Sequence, residues 1–143
     1  MALIATIGLH HVRLTVSDLA RSRAFYEEVL GFEVAAESPG HPGDPAVRQD
    51  PAQLYGGVIY QTNGILFGLR PVASADDAFD SERTGLDHLS FAVANRDALN
   101  TAASALEERG ITHGEVTDLV DFGIAILSFS DPDGVHLELT APL

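Results

Sequence analysis

Cysteine and lysine are both absent from this 143-residue chain. Without cysteine there are no disulfides, no thiolate metal ligands and no cysteine nucleophile. All eight cations are arginine, set against 21 acids for a net charge of −13. Such a surface repels phosphate backbones and anionic membranes, so neither nucleic acid nor a lipid surface is an expected partner. No apolar run reaches the length of a membrane span, and Met1 to Gly8 carries no basic leader region. The expectation is a cytoplasmic domain with one sizeable core, since 45% of its residues are hydrophobic.

What the chain does have is an internal repeat. Residues 8–16, Gly-Leu-His-His-Val-Arg-Leu-Thr-Val, lie over residues 85–93, Gly-Leu-Asp-His-Leu-Ser-Phe-Ala-Val, without a gap. Both alternate with period 2 and read as strands. Val12, Leu14 and Val16 form an apolar face, opposite His11, Arg13 and Thr15. In the copy, Leu89, Phe91 and Val93 oppose His88, Ser90 and Ala92.

A helix follows each strand. Ser17 or Asp18 can cap the first and Asn95 the second, accepting bonds from amides of the opening turn. Gly31 and Gly110 stand where a left-handed cap closes a helix. Second strands are expected over 32–35 and 111–116. Hairpins follow over 57–69, turning at Asn63-Gly64, and over 124–139, turning at Asp133-Gly134. Two modules result, about 3–70 and 84–141, joined by an acidic linker over 71–83 within a single 1–143 domain. Residues 38–53, rich in Pro, Gly and charge, form a long connection of the kind that serves as a lid, a binding loop or a disordered stretch.

Superposing the modules defines four equivalent places, occupied by His11, Gly68, His88 and Glu138. Two imidazoles and a carboxylate on strands suit a divalent first-row metal: Fe, Mn, Zn, Ni or Co. Gly68 has no side chain, which leaves coordination places for water or substrate.

His11 with Asp18, Ser22, Phe25-Tyr26 and Leu30-Gly31-Phe32, followed by Asp131-Pro132-Asp133-Gly134 and Glu138, resembles the signatures of the vicinal oxygen chelate superfamily. That group includes glyoxalase I, the bleomycin-resistance proteins and the extradiol dioxygenases. The resemblance covers nearly the whole chain. It implies an α+β fold of two repeated βαβββ modules forming a cup-shaped mixed β-sheet with helices outside, and metal ligands at His11, His88 and Glu138. It further implies a metal-dependent, dioxygenase-like or lyase/isomerase-like enzyme, whose small-molecule substrate chelates the metal through adjacent oxygens. A homodimer is implied too, in which His11 can face His88 and Glu138 of a second copy. Gly68 departs from glyoxalase I, which uses a side chain at all four places, and so argues against glyoxalase I chemistry. Fosfomycin-resistance thiol transferases need cations for a phosphonate; the lack of lysine and of a matching loop ranks that reading low. The alternative function is a metal-free drug-binding protein of the bleomycin-resistance type.

Three further residues are candidates for substrate contact. Arg13 shares the inward face with His11 and can hold an anionic group or pair with an acid. Tyr60, like Tyr55, can line the cleft or pack in the core. His136 shares a face with Glu138 at the rim or stands in solvent. His10 is assigned to the face opposite His11.

Overall fold

The computed structural model describes residues 2–143. The chain divides into two compact units between Asp77 and Ala78, inside the expected linker. Each unit holds one module, and each module builds its own four-stranded mixed sheet.

In the first unit the strands are β1 (His11–Thr15), β2 (Glu33–Glu37), β3 (Val58–Gln61) and β4 (Leu66–Arg70), ordered β1-β4-β3-β2. The first and last pair in parallel, with Arg13 opposite Gly68 and Thr15 opposite Arg70. The other pairings are antiparallel, and β2 carries a register shift between Val34 and Ala36. Period 2 decides what is buried. Leu14, Val58, Phe67 and Leu69 are buried on one face, where α1 (Leu19–Glu28) supplies Phe25 and Tyr26. The Tyr26 ring lies 4.9 Å from that of Phe67. Asp18, not Ser17, caps α1 by accepting from the Arg21 amide at 3.0 Å. Gly31 closes it at φ 67°.

The long connection is an ordered loop. Asp44 caps α2 (Pro45–Arg48), and Asp50 caps a 3₁₀ stretch over Pro51–Gly56. Val47 is buried, and Arg48 donates to the Pro71 and Val72 carbonyls at 3.2 and 3.0 Å. Leu54 and Tyr55 interrupt the 3₁₀ stretch with φ of 53° and 57°. Non-glycine residues in this left-handed region carry strain of order 1–3 kcal/mol each.

The second unit repeats the plan with β5 (Leu89–Ala92), α3 (Arg96–Glu108), β6 (Thr117–Leu119), β7 (Ile124–Ser130) and β8 (His136–Pro142), ordered β5-β8-β7-β6. Asn95 caps α3, accepting from Ala98 at 3.0 Å, and Gly110 closes it at φ 67°. Leu99 and Leu106 of α3 are buried, as are Leu127, Phe129 and Leu137 of the sheet. The second strand expected over 111–116 falls instead at Thr117–Leu119. Earlier the chain touches β7 through a single bridge, His113 to Phe129, and through Gly114 donating to the Ser128 carbonyl at 2.8 Å. A side chain at Gly114 would meet Ser128 Oγ at 2.7 Å, so the chain approaches β7 closely there but pairs regularly only beyond it. Among the described residues no helix is long and apolar enough to cross a membrane.

The β7–β8 hairpin hangs on one buried carboxylate. Asp131 Oδ1 accepts from the Asp133 and Val135 amides, both at 2.9 Å. Asp131→Ala is expected to destabilise the chain by about 2–3 kcal/mol, because it leaves two amides of the turn without their charged acceptor. Asp131→Asn keeps an acceptor and is expected to recover at least half of the loss. Urea unfolding of the three proteins measures both, and equal midpoints for Ala and Asn would refute the account.

Candidate functional site

The second unit contains an open cleft of about 390 Å³, walled by β7, β8 and the residues just before β5. His88 and Glu138 both line it. Parallel pairing puts Ser90 opposite Glu138, and antiparallel pairing puts Ser128 on its other side. Both neighbours are small, so the carboxylate stands between them. Glu138 Oε1 accepts from Thr140 Oγ1 at 3.1 Å, and Thr140 in turn bonds Ser90 Oγ.

His88 is positioned by a residue that sequence reasoning missed. Asp87 Oδ2 lies 2.5 Å from His88 Nδ1. A carboxylate accepts, so Nδ1 carries the proton and Nε2 presents its lone pair in the neutral ring. That nitrogen lies 3.8 Å from Glu138 Oε1. Two acceptors facing each other across a gap repel unless something positive sits between them. The donor set therefore fits either a cation or a proton on His88.

His11 begins β1 in the first unit and is exposed. His10, expected on the other face, instead reaches its neighbour: His10 Nδ1 lies 2.8 Å from His11 Nδ1. It precedes the regular strand, so the alternation of faces does not bind it. In the repeat His10 corresponds to Asp87. In both modules the preceding residue thus engages Nδ1 and leaves Nε2 pointing away from that contact. Among the described residues no three His, Asp or Glu side chains are gathered as the ligands of one ion.

The remaining candidates separate. His136 is exposed at the cleft, with its ring 5.5 Å from Phe79. Tyr60 does not reach the face of His11. It is fully buried opposite Phe67, its hydroxyl donates to Glu27 Oε1 at 2.9 Å, and burial raises its pKa well above the usual value. The hairpin register decides this, because Tyr60 falls in phase with Val58 on the core face. Arg13 lies on the face of His11, across from Gly68.

Gly68 is closely covered. A Cβ there would stand 2.6 Å from Ile59 Cδ1, 3.1 Å from Arg13 Nε and 3.3 Å from the Val58 carbonyl oxygen. The place left by the missing fourth side chain is taken by these neighbours and does not stand open at the backbone. Gly68→Ala should cost about 1–3 kcal/mol from overpacking. Ile59→Val removes the offending methyl, so the double mutant should be more stable than additivity allows, by at least about 0.5 kcal/mol. Denaturant unfolding of the four proteins gives the cycle, and strict additivity would show that Ile59 does not crowd this position.

His113, missed as a candidate, also lines the cleft. Its Nδ1 donates to the Gly114 carbonyl at 2.7 Å and its Nε2 to Glu107 at 3.0 Å. Only the imidazolium can donate from both nitrogens. The bond to Gly114, then that to Glu107, raises its pKa above the ordinary 6.5. A raised folded value means that the stabilisation is complete below the unfolded pKa and is lost as pH rises through the folded one. NMR titration should therefore place His113 above 6.5, and Glu107→Gln should lower it; an unmoved titration would remove Glu107 from the account.

Comparison with known proteins adds four findings. Residues 8–139 match the model of the Glyoxalase/Bleomycin resistance protein/Dioxygenase superfamily. The chain is 29% identical to the uncharacterized protein YwkD of Bacillus subtilis (strain 168) over 132 residues, covering 92% of this chain and 94% of that one. Among solved structures it is similar to a glyoxylase/bleomycin resistance protein/dioxygenase domain from Frankia sp. EAN1pec, with TM-score 0.74, 26% identity and coverage of 97% and 94%. The fold is also shared with a genomically encoded fosfomycin resistance protein, FosX, from Listeria monocytogenes, at TM-score 0.70 and 16% identity over 97% and 96% of the two chains.

Proposed function

Because this chain belongs to the glyoxalase/bleomycin resistance protein/dioxygenase superfamily, we propose that it is a divalent-metal-dependent enzyme acting on a small substrate with adjacent oxygens. The observation that carries the proposal is the facing pair of His88 Nε2 and Glu138 Oε1, 3.8 Å apart, with His88 held from behind by Asp87. Imidazole and carboxylate together suit Fe, Mn, Zn, Ni or Co. Within this reading His88 and Glu138 are two ligands and His11 is the third. The third comes from the same chain or from a second copy in a homodimer. The bond between Nδ1 and the preceding residue, present at both histidines, supports Nε2 as the ligating atom of each.

The metal would supply Lewis acidity to the substrate's oxygens. The chain's own residues do the rest. Asp87 fixes the His88 tautomer, and Thr140 with Ser90 aims Glu138. His136 and His113 border the cleft, where a substrate would meet them. Gly68 provides no base, so a proton shift between adjacent carbons of the glyoxalase I kind lacks the group it needs at that place. Dioxygenase-like chemistry on a bidentate substrate fits the remaining ligands better.

The test is metal content. Protein purified without chelator should hold about one divalent ion per chain, and His88→Ala, Glu138→Ala and His11→Ala should each lose it. Asp87→Asn should weaken metal affinity by roughly 10- to 100-fold with the fold intact. Protein that arrives metal-free and takes up no Fe, Mn, Zn, Ni or Co in a calorimetric titration would overturn the proposal in favour of a metal-free binder.

A further inference from the structure

The repeat sets an acid in one copy where a neighbouring cation leans over the same place in the other. In the second unit the middle of the last strand carries Glu138, flanked by Ser90 and Ser128. In the first unit the same place is Gly68, flanked by Arg13 and Ile59. The cation over Gly68 thus takes the space that the acid takes in the other copy. Arg70, the counterpart of Thr140, is two residues along on the same face of β4 and opposite Thr15.

These two arginines converge on one ring. The Arg70 guanidinium carbon lies 3.8 Å from the Tyr55 ring centroid, and that of Arg13 lies 5.4 Å from it. Tyr55 reaches this position through the left-handed Leu54-Tyr55 pair, whose backbone is fixed by the Tyr55 amide donating to the Asp50 carbonyl at 3.0 Å and by the Leu54 carbonyl accepting from the Gly57 amide at 2.9 Å. Strain held in place at an aromatic that supports two cations marks a built feature.

What the cations lack is an anion. Arg13 Nε and Arg70 Nε are both buried with no hydrogen-bond partner, and among the described residues neither side chain has an acidic partner. Elsewhere in this acid-rich chain arginines find acids readily: Arg23 bonds both Glu27 and Glu37, and Arg96 bonds Asp118. Two like charges on one face, with two buried donors unanswered, is an arrangement that an incoming acceptor completes.

We propose that Arg13 and Arg70, supported by Tyr55 and cleared by Gly68, form an oxyanion-binding platform that takes the carboxylate or phosphate group of an acidic small molecule. This rests on the reading of the His11 face as substrate-facing and adds the substrate's charge class to it. The platform lies wholly in the first unit and uses neither His88 nor Glu138. Fork-shaped guanidinium donors on a flat aromatic support suit a planar carboxylate or a phosphate oxygen pair.

Arginine Nε–H resonances of the full-length, metal-free protein test it directly. Titration with inorganic phosphate and, separately, acetate is made at constant ionic strength balanced with chloride. For at least one anion, the Arg13 and Arg70 signals should move along a single saturable curve, while that of Arg83 stays still. Saturation with phosphate alone assigns a phosphate-bearing ligand, and with acetate alone a carboxylate; both support the platform. Arg70→Met should weaken the binding seen at Arg13 at least tenfold. Arg70→Lys, which keeps the charge and guards against loss of fold, should weaken it less. Drift that never saturates with either anion, or equal movement of all arginines, overturns the proposal. Because metal is absent throughout, that result leaves the metal reading untouched; conversely, a protein that takes up no metal yet binds phosphate or acetate would overturn the metal reading and leave the platform standing.

Discussion

In each module the first strand lies parallel to the last, so that His11 meets Leu66 and Leu89 meets Leu137. Parallel neighbours cannot be joined by a tight turn; the helix, the second strand and the hairpin arm must all fit into the connection. Once that pairing is made, period 2 sorts every residue on both strands. One set packs against the helix, and the other forms a face where residues far apart in sequence stand side by side. Ser90 beside Glu138 and Arg13 beside Gly68 are products of this one constraint. The cleft of the second unit and the cationic face of the first are two decorations of the same lattice.

Much of this was legible because the repeat is gapless where it matters. Residues 8–16 and 85–93 carry the strand pattern twice. The helix stops at Gly31 and Gly110 take the same φ of 67°. Asp18 and Asn95 cap as their side chains allow. The turn around Asp131 follows from an acid placed to accept from amides two and four residues ahead. Arg13 and Glu138 could be placed on their faces by counting in twos.

What stayed hidden depends on contacts that local patterns do not encode. Leu54 and Tyr55 carry no glycine or asparagine signal for left-handed backbone, so nothing in the sequence brings Tyr55 to Arg70. Arg13 is legible as a cation on the His11 face, but its partnership with Arg70 depends on the parallel register of β1 and β4. Alternation assigns His10 to the face opposite His11 and gives Asp87 no role, because neighbours in a regular strand point to opposite faces. Both precede the strands proper and escape that rule. Residues 111–116 have no clean alternation, since Gly114 lies too close to Ser128 for ordinary pairing.

The covering of Gly68 bears on the history of the two halves. A duplicated module begins with identical side chains at matched places and can change one copy while the other keeps working. Here the two copies distribute bulk differently over three positions: the first has glycine at the centre, with arginine and isoleucine leaning over it, and the second has glutamate between two serines. An acid introduced at position 68 would meet Ile59 and Arg13 before it could reach anything else. A side chain placed there has to push the Ile59 methyl and the Arg13 guanidinium aside. At this one place the two halves therefore differ in packing as well as in charge, and the difference is carried by the space around a single missing Cβ.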